Sequence, residues 1–160
     1  VGSRVGRLLL TPVTSEHLAF LATHLRDADV QELRASQGDS LCMLAILQQS
    51  VTVSAECWVA TTQAGEAVAV FGVAPIPQAA GYAAPWMLGT DTLARHGKDI
   101  VQLGKRFAER WGAEYDRLIN FVDTRNIKSI AWLRHSGYSV RPAQPHGVNG
   151  ELFHLFERCA

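Results

Sequence analysis

The run Leu118 to Val122, closed by Arg117 on one side and Asp123 on the other, constrains this chain more than any other segment. An apolar stretch between charged bounds is typical of a central strand covered on both faces. The flanking segments agree. Roughly His96 to Trp111 collects Ile100, Val101, Leu103, Phe107 and Trp111 as apolar positions, with Lys98, Lys105, Arg106 and Arg110 on its other faces. That is the pattern of a long amphipathic helix. Gly104 falls inside it, which predicts close packing at that point. Asn126 to Ser136 predicts a second helix, with Ile130 and Leu133 apolar at i, i+3 and Gly137 where a left-handed residue ends a helix. Tyr138 to Val140 begins a strand, Pro142 to Gly150 reads as a loop, and Leu152 to Phe156 reads as the last strand. Alternating strands and helices around a buried strand imply an α+β (α/β) domain with a mixed sheet.

The first half of the chain has a different rhythm. Arg7 to Pro12 reads as a short strand ended by Pro12. Thr14 and Ser15 are helix-capping types, and Leu18, Leu21, Ala22 and Leu25 recur at helical spacing behind them. Asp27 to Ala35 predicts a second helix. After a loop over Ser36 to Ser40, a third helix carries Leu41, Leu44 and Leu47, capped by Asp39 or Ser40. Glu56 to Thr61 and Ala67 to Ala74 read as strands joined by the turn Gln63 to Glu66, hence a hairpin. Trp86 to Leu88 reads as a short strand ending at Gly89 and Thr90. The expected order is β-α-α-α-β-β-β-α-β-α-β-β, in one domain spanning residues 1–160.

Charge and cysteine content narrow the function classes. Fifteen basic side chains balance fifteen acidic ones, which argues against a broad nucleic-acid footprint. Cys42, Cys57 and Cys159 show neither C-x-x-C spacing nor an even count. They read as free thiols in a reducing cytoplasm, with Cys42 and Cys57 in the core. His17, His24, His135 and His146 show no metal-ligand spacing. No apolar run reaches the roughly 18 residues of a membrane span, and Val1-Gly2-Ser3-Arg4 carries no signal-peptide pattern. Trp58, Trp86, Trp111 and Trp132 read as core aromatics, with Trp86 the one to watch as a ligand contact.

The segment Asn126-Ile127-Lys128-Ser129-Ile130-Ala131-Trp132-Leu133-Arg134-His135-Ser136-Gly137-Tyr138 resembles the late motif of the GNAT N-acetyltransferase superfamily: Asn, a small residue three on, apolar helix positions, then Gly-Tyr. Over about Ala67 to Phe156, the stretches Pro85 to Asp91, Leu118 to Asp123, Arg125-Asn126, Ser129 to Leu133 and Gly137-Tyr138 resemble the small GNAT-like proteins of short-tailed bacteriophages. That branch includes internal virion or assembly proteins. The resemblance implies a GNAT fold, with a central mixed and mostly antiparallel twisted sheet flanked by helices. It implies two alternative functions. One is an acetyl-CoA-dependent N-acetyltransferase of phage or prophage origin, in the host cytoplasm, acting on an unknown amine. The other is a non-catalytic virion structural or assembly protein.

The resemblance also implies a site. Acetyl-CoA would lie against the strand before the long helix, touching Leu88, Gly89 and Thr90, with the N–H of Leu88 or Gly89 serving the thioester oxygen. Its diphosphate would rest on the amide groups at the helix start. The family loop Arg/Gln-x-x-Gly-x-Gly/Ala is matched by Arg95-His96-Gly97-Lys98-Asp99, which lacks the second small residue. Asp99 there would repel phosphate, offset by Lys98 and Arg95. Asn126 and Ser129 would border the acyl-carrier arm. The usual Tyr acid, seven residues after the motif Asn, is Leu133 here. Asp91 and Asp123, at the ends of neighbouring strands, are the candidate bases. His96 and His154 are further titratable candidates. For all four, a turn, cap or surface role is the plain alternative.

Overall fold

At Gly6 the backbone takes φ +56°, a left-handed conformation that glycine adopts without steric cost. This folds Ser3–Val5 (β1) back on Leu8–Thr11 (β2), pairing Val5 with Leu8. A Cβ at Gly6 would lie 2.0 Å from Asp99 Oδ1, so space as well as φ demands glycine. The computed structural model describes residues 3–160; Val1 and Gly2, on which part of the signal-peptide reading falls, lie outside the described residues.

Three helices follow. Ser15–His24 (α1) opens with a reciprocal cap: Thr14 Oγ1 accepts from His17 N–H at 3.2 Å, and His17 Nδ1 accepts from Thr14 N–H at 3.3 Å. Asp27–Gln37 (α2) comes next, then Met43–Val53 (α3). The cap position of α3 is Cys42, with no side-chain hydrogen bond, rather than Asp39 or Ser40. Leu41 N–H bonds to Asp39 O, so those residues form a turn of their own before the helix begins. Cys42 is consequently exposed and Cys57 only half-buried, against the expectation of core thiols.

The sheet contains Glu56–Thr61 (β3), Ala67–Pro75 (β4), Tyr82–Gly89 (β5), Arg117–Asp123 (β6), Ser139–His146 (β7) and Glu151–Cys159 (β8), in spatial order β1-β2-β3-β4-β5-β6-β8-β7. Between β5 and β6 run a 3-10 turn at Asp91–His96 and the long helix Gly97–Glu114 (α4). Ile127–His135 (α5) joins β6 to β7. Gly137 takes φ +100° after α5, as its position predicts. Strand β7 runs through the stretch expected to be a loop. It carries Pro142 and Pro145, which a sheet tolerates because β7 is an edge.

Helices α4 and α5 cover one face and α1 to α3 the other. Strand β4, in the middle, therefore sends successive side chains into two separate cores. Phe71 meets Phe107 edge-on at 4.9 Å and also contacts Trp111, while Val70 packs with Leu21, Leu47 and Leu88. Gly104 on α4 touches α5 closely: a Cβ there would stand 2.2 Å from Ser136 Oγ. Among the described residues no helix is long and apolar enough to cross a membrane.

Among the described residues every strand pairing but one is antiparallel. The parallel pair β5–β6 holds at only two positions, Tyr82 with Arg117 and Ala83 with Leu118. Beyond it the strands follow their other partners. Strand β5 stays in register with β4 as far as Ala69 and Gly89, and β6 with β8 as far as Asp123 and Phe153. Asn120 Nδ2 reaches across to Pro85 O at 2.9 Å, and past that bond the sheet is open.

Candidate functional site

The opening between β5 and β6 is one wall-to-wall cavity of about 500 Å³. On the α4–α5 face it is lined by Ile100, Leu103, Gly104, Ser129, Trp132, Leu133 and Tyr138; on the α2–α3 face by Glu32, Leu33, Gln37, Ser50, Trp86 and His146. The cavity thus passes through the sheet. A mostly apolar cleft of this size with a few convergent polar groups is the usual form of a small-molecule site.

The peptide groups along β5 decide which amides are available. Arg26 N–H donates to Gly89 O at 2.8 Å, and Gly89 N–H donates to Asp29 Oδ2 at 2.9 Å. Thr90 N–H turns the other way, to Val68 O at 2.9 Å. Backbone groups alternate in direction along an antiparallel strand. Leu88 therefore faces β4, and Met87 faces the opening. Neither amide expected to serve the thioester oxygen is free: that of Leu88 points into the ladder and that of Gly89 is held by Asp29. The strand alternation needed to single out Met87 is in the sequence, but its phase is not.

Thr90 is buried and adds a second bond from Oγ1 to Val68 O. Leu88 is buried and lines the cavity. Helix α4 does begin at Gly97, as expected. A Cβ on Gly97 would meet only Trp132 Nε1, at 3.8 Å, so its first turn is not packed shut. Arg95 and Lys98 flank this turn exposed, and His96 is half-buried.

Asp99 does not sit where its charge was expected to repel an anion. It is buried against the β1–β2 turn, where Arg7 donates from its backbone N–H and Nε, and His96 Nδ1 lies 3.1 Å away. Burial raises its carboxyl pKa, but the hydrogen bonds from His96 and Arg7, with Arg7's charge, outweigh that and hold it below the usual range.

Ser129 lines the cavity and its Oγ accepts from Arg26 at 3.1 Å. The Arg26 guanidinium pairs with Asp29 at 2.6 Å and lies over the Trp132 ring, 5.1 Å from its centroid. Asn126 is buried at the start of α5 but makes no side-chain cap. Its Nδ2 instead points 3.5 Å from Glu32 Oε1, and its Oδ1 has no partner among the described residues.

Of the two candidate bases, Asp91 is exposed at the start of the 3-10 turn. Asp123 is buried, and Arg125 grips it through Nε at 3.0 Å and Nη2 at 2.7 Å. Burial pushes its pKa up, yet the Arg125 hydrogen bonds and charge prevail and hold it low, which makes it a poor base. His154 bonds through Nδ1 to Arg141 O on β7. Leu133, at the position of the usual Tyr acid, forms part of the cavity wall.

Glu32 was not singled out by sequence. In Gln31-Glu32-Leu33-Arg34 it reads as one more polar residue on a solvated helix face. In the structure its Oε1 accepts Asp123 N–H at 2.7 Å at the cavity wall. Burial pushes its pKa up to about 7, with the charge of Asp29 adding to the shift and the Asp123 N–H opposing it. Across the same chamber His146 stacks on Phe121, ring centroids 3.7 Å apart, and burial lowers its pKa. Among the described residues no cluster suits a metal ion.

No family model matches the sequence, and no curated protein does. Solved structures match the fold across nearly the whole chain. A GNAT superfamily phosphinothricin acetyltransferase from Sinorhizobium meliloti, in complex with AcCoA, superposes with a TM-score of 0.73 at 12% identity, covering 96% of this chain and 89% of that one. A probable GNAT-family acetyltransferase from Chromobacterium violaceum gives 0.70 at 20% identity over 99% and 90%. Spermidine N-acetyltransferase from Vibrio cholerae, in complex with CoA and spermine, gives 0.71 at 9% over 96% and 95%. This chain has the GNAT fold.

Proposed function

We propose that this protein is an acetyl-CoA-dependent N-acetyltransferase acting on an amine. The carrying observation is the cavity that crosses the sheet where β5 and β6 part, with the Met87 peptide group turned into it. Fold by itself does not fix activity, so the reading rests on that opening. The neighbours solved with AcCoA or CoA share the fold and make the same cargo the first to test.

The residues present fit such a ligand. The exposed first turn of α4 at Gly97 and Lys98 offers amide donors and the positive end of the helix dipole to a diphosphate. Arg95 and His96 border it, and Asp99 is neutralised by Arg7 on the far side. Leu88 and Ser129 line the passage for a pantetheine arm, with Gly89 and Thr90 fixing the wall behind it. Acetyl-CoA when bound supplies an acetyl group activated as a thioester. The Met87 N–H is the donor aimed into the cleft for a carbonyl oxygen that gains charge. The chamber on the α2–α3 face, bordered by His146 and Trp86, receives the amine.

Calorimetry with acetyl-CoA and CoA, followed by thiol release with a panel of primary amines, tests this reading. Micromolar binding of acetyl-CoA and amine-dependent thiol release are expected. Gly97→Glu is expected to abolish binding by placing bulk and charge on the anion site. Absence of binding at millimolar ligand would refute the proposal.

The resemblance to phage GNAT-like proteins supports phage or prophage origin, and a virion component is its non-catalytic alternative. Leu133 in place of a Tyr acid favours that alternative. Mass spectrometry of purified particles distinguishes it from an enzyme that stays in the host cell.

A further inference from the structure

We propose that Glu32 is the catalytic base of this cleft, taking the proton from the acceptor amine, with Asn126 and the Asp123 N–H as the groups that position it. The proposal rests on the N-acetyltransferase reading above and assigns a role to a residue outside the sheet.

The first observation is charge pairing. The buried carboxylates Asp29, Asp99, Asp123 and Glu157 are each paired with arginine. Glu32 lines the cavity and has no ion pair among the described residues. Glu32 is half-buried, and a carboxyl partly withdrawn from water without a cation is costly unless the site uses it. The second is orientation. Oε1 is fixed by Asp123 N–H at 2.7 Å and by Asn126 Nδ2 at 3.5 Å, while Oε2 has no hydrogen-bond partner among the described residues. One oxygen is held and the other left for a ligand. The third is Asn126 itself. It occupies the cap position of α5 yet does not cap it, and turns toward Glu32 instead. Its chemistry serves the carboxylate rather than its own helix.

The position suits the step. Glu32 stands on the α2–α3 side, where an amine enters, and the arm of an acyl carrier lies toward α4 and α5. The acceptor arrives as an ammonium ion. Glu32 Oε2 takes one proton, leaving the nitrogen lone pair free. The nitrogen bonds to the acetyl carbon, the carbon–sulfur bond breaks, and sulfur leaves with its electron pair. The second nitrogen proton passes to that sulfur, giving an amide and a thiol; Glu32 returns its proton to solvent. A base titrating near 7 is matched to this work at neutral pH.

The charged and titratable groups facing Glu32 are Asp29 on its own helix, paired with Arg26; Asp123 on β6, paired with Arg125; and His146 on β7 across the chamber. His146 is the rival base.

Two measurements test the assignment. In the ligand-free protein, NMR of labelled glutamate carboxyls is expected to show one titrating near 7 that disappears in Glu32→Gln. In steady-state kinetics with any amine the wild type accepts, Glu32→Gln is expected to lower kcat/KM by about 10²-fold or more. It should keep acetyl-CoA affinity within about twofold and lose the acid limb of the pH profile. Asn126→Ala should keep that limb but move it to higher pH, since a donor to the charged form is removed. A wild type that binds no acetyl-CoA would sink the N-acetyltransferase reading itself. A wild type that turns over while Glu32→Gln matches it would sink only the role of Glu32. So would a Glu32 carboxyl titrating near 4.5, or an acid limb that survives Glu32→Gln and vanishes in His146→Gln.

Discussion

Where β5 and β6 part, the two faces of the sheet handle polar groups in opposite ways. On the α4–α5 face the cavity wall is Ile100, Leu103, Leu133 and the close contact of Gly104 with Ser136; the buried acid Asp99 faces away and is neutralised by Arg7. On the α2–α3 face two carboxyls meet at one backbone group. Asp123 is gripped by Arg125 and stays ionised, while Glu32 accepts the Asp123 N–H, has no cation partner among the described residues, and titrates near neutrality. Neighbouring acids with pKa values driven apart mark where acid–base chemistry is placed. The contrast separates a face suited to holding a long ligand from a face suited to moving a proton.

The largest test of this contrast lies at the seam between the faces. Arg26→Ala leaves Asp29 buried without its cation and is expected to lose about 3–5 kcal/mol in urea unfolding. A loss under about 1 kcal/mol would mean that Asp29 relaxes to water and the Gly89 contact is not rigid. Glu32→Gln should act in the other direction. A carboxyl whose folded pKa of about 7 exceeds its unfolded value withdraws stability as pH rises from about 4.5 to 7. The variant is thus expected to exceed the wild type by about 2–3 kcal/mol at pH 8, and the gap should close at pH 4. An equal gap at both pH values would tie the effect to packing, not charge.

On the opposite face, Gly104→Ala should cost about 1–2 kcal/mol, because its Cβ would press on Ser136. Unfolding curves report this, and a neutral result would show that α4 and α5 can separate. The smallest effect is expected for Arg125→Lys, which keeps a cation beside the buried Asp123 and gives up only part of the grip of a side chain that is itself 43% exposed and screened by solvent. A loss below about 1 kcal/mol at pH 7 is expected. Asp123 has a depressed folded pKa, so the contribution is present above the unfolded carboxyl range and fades as pH falls through the folded value. A loss that persists at pH 2 would indicate a role other than the ion pair.

Much of the scaffold is legible in the residues. The face carrying Ile100, Leu103, Phe107 and Trp111, the stop at Gly137, the hairpin of Glu56–Thr61 with Ala67–Pro75, and the buried run at Leu118 all appear where their patterns put them. The site was legible only in outline. Gly97 marks the start of α4 because a helix start is a local property. Asp99 and Asp123 were visible as acids, but Arg7 lies 92 residues from the first, and the Glu32 carboxyl lies 91 from the Asp123 amide it holds. Glu32 carries no sequence signal beyond an ordinary helix position. The start of β7 was legible at Tyr138 to Val140, but its continuation to His146 was not, because Pro142 and Pro145 argue against a strand until its place at the edge of the sheet is known.

The sequence by itself determined the order of strands and helices from β2 onward, the apolar faces they bury and the turn at Gly137, because periodicity and glycine conformation depend on residues a few positions apart; the first strand, Ser3–Val5, is too short to carry such a pattern. Only the tertiary structure decided that Met87 turns its amide to the opening, that Asp99 points away from it, and that Glu32 stands at its edge with no cation partner among the described residues. Hydrogen-bond direction, desolvation and charge pairing act through space, and the partners they join here are tens of residues apart along the chain.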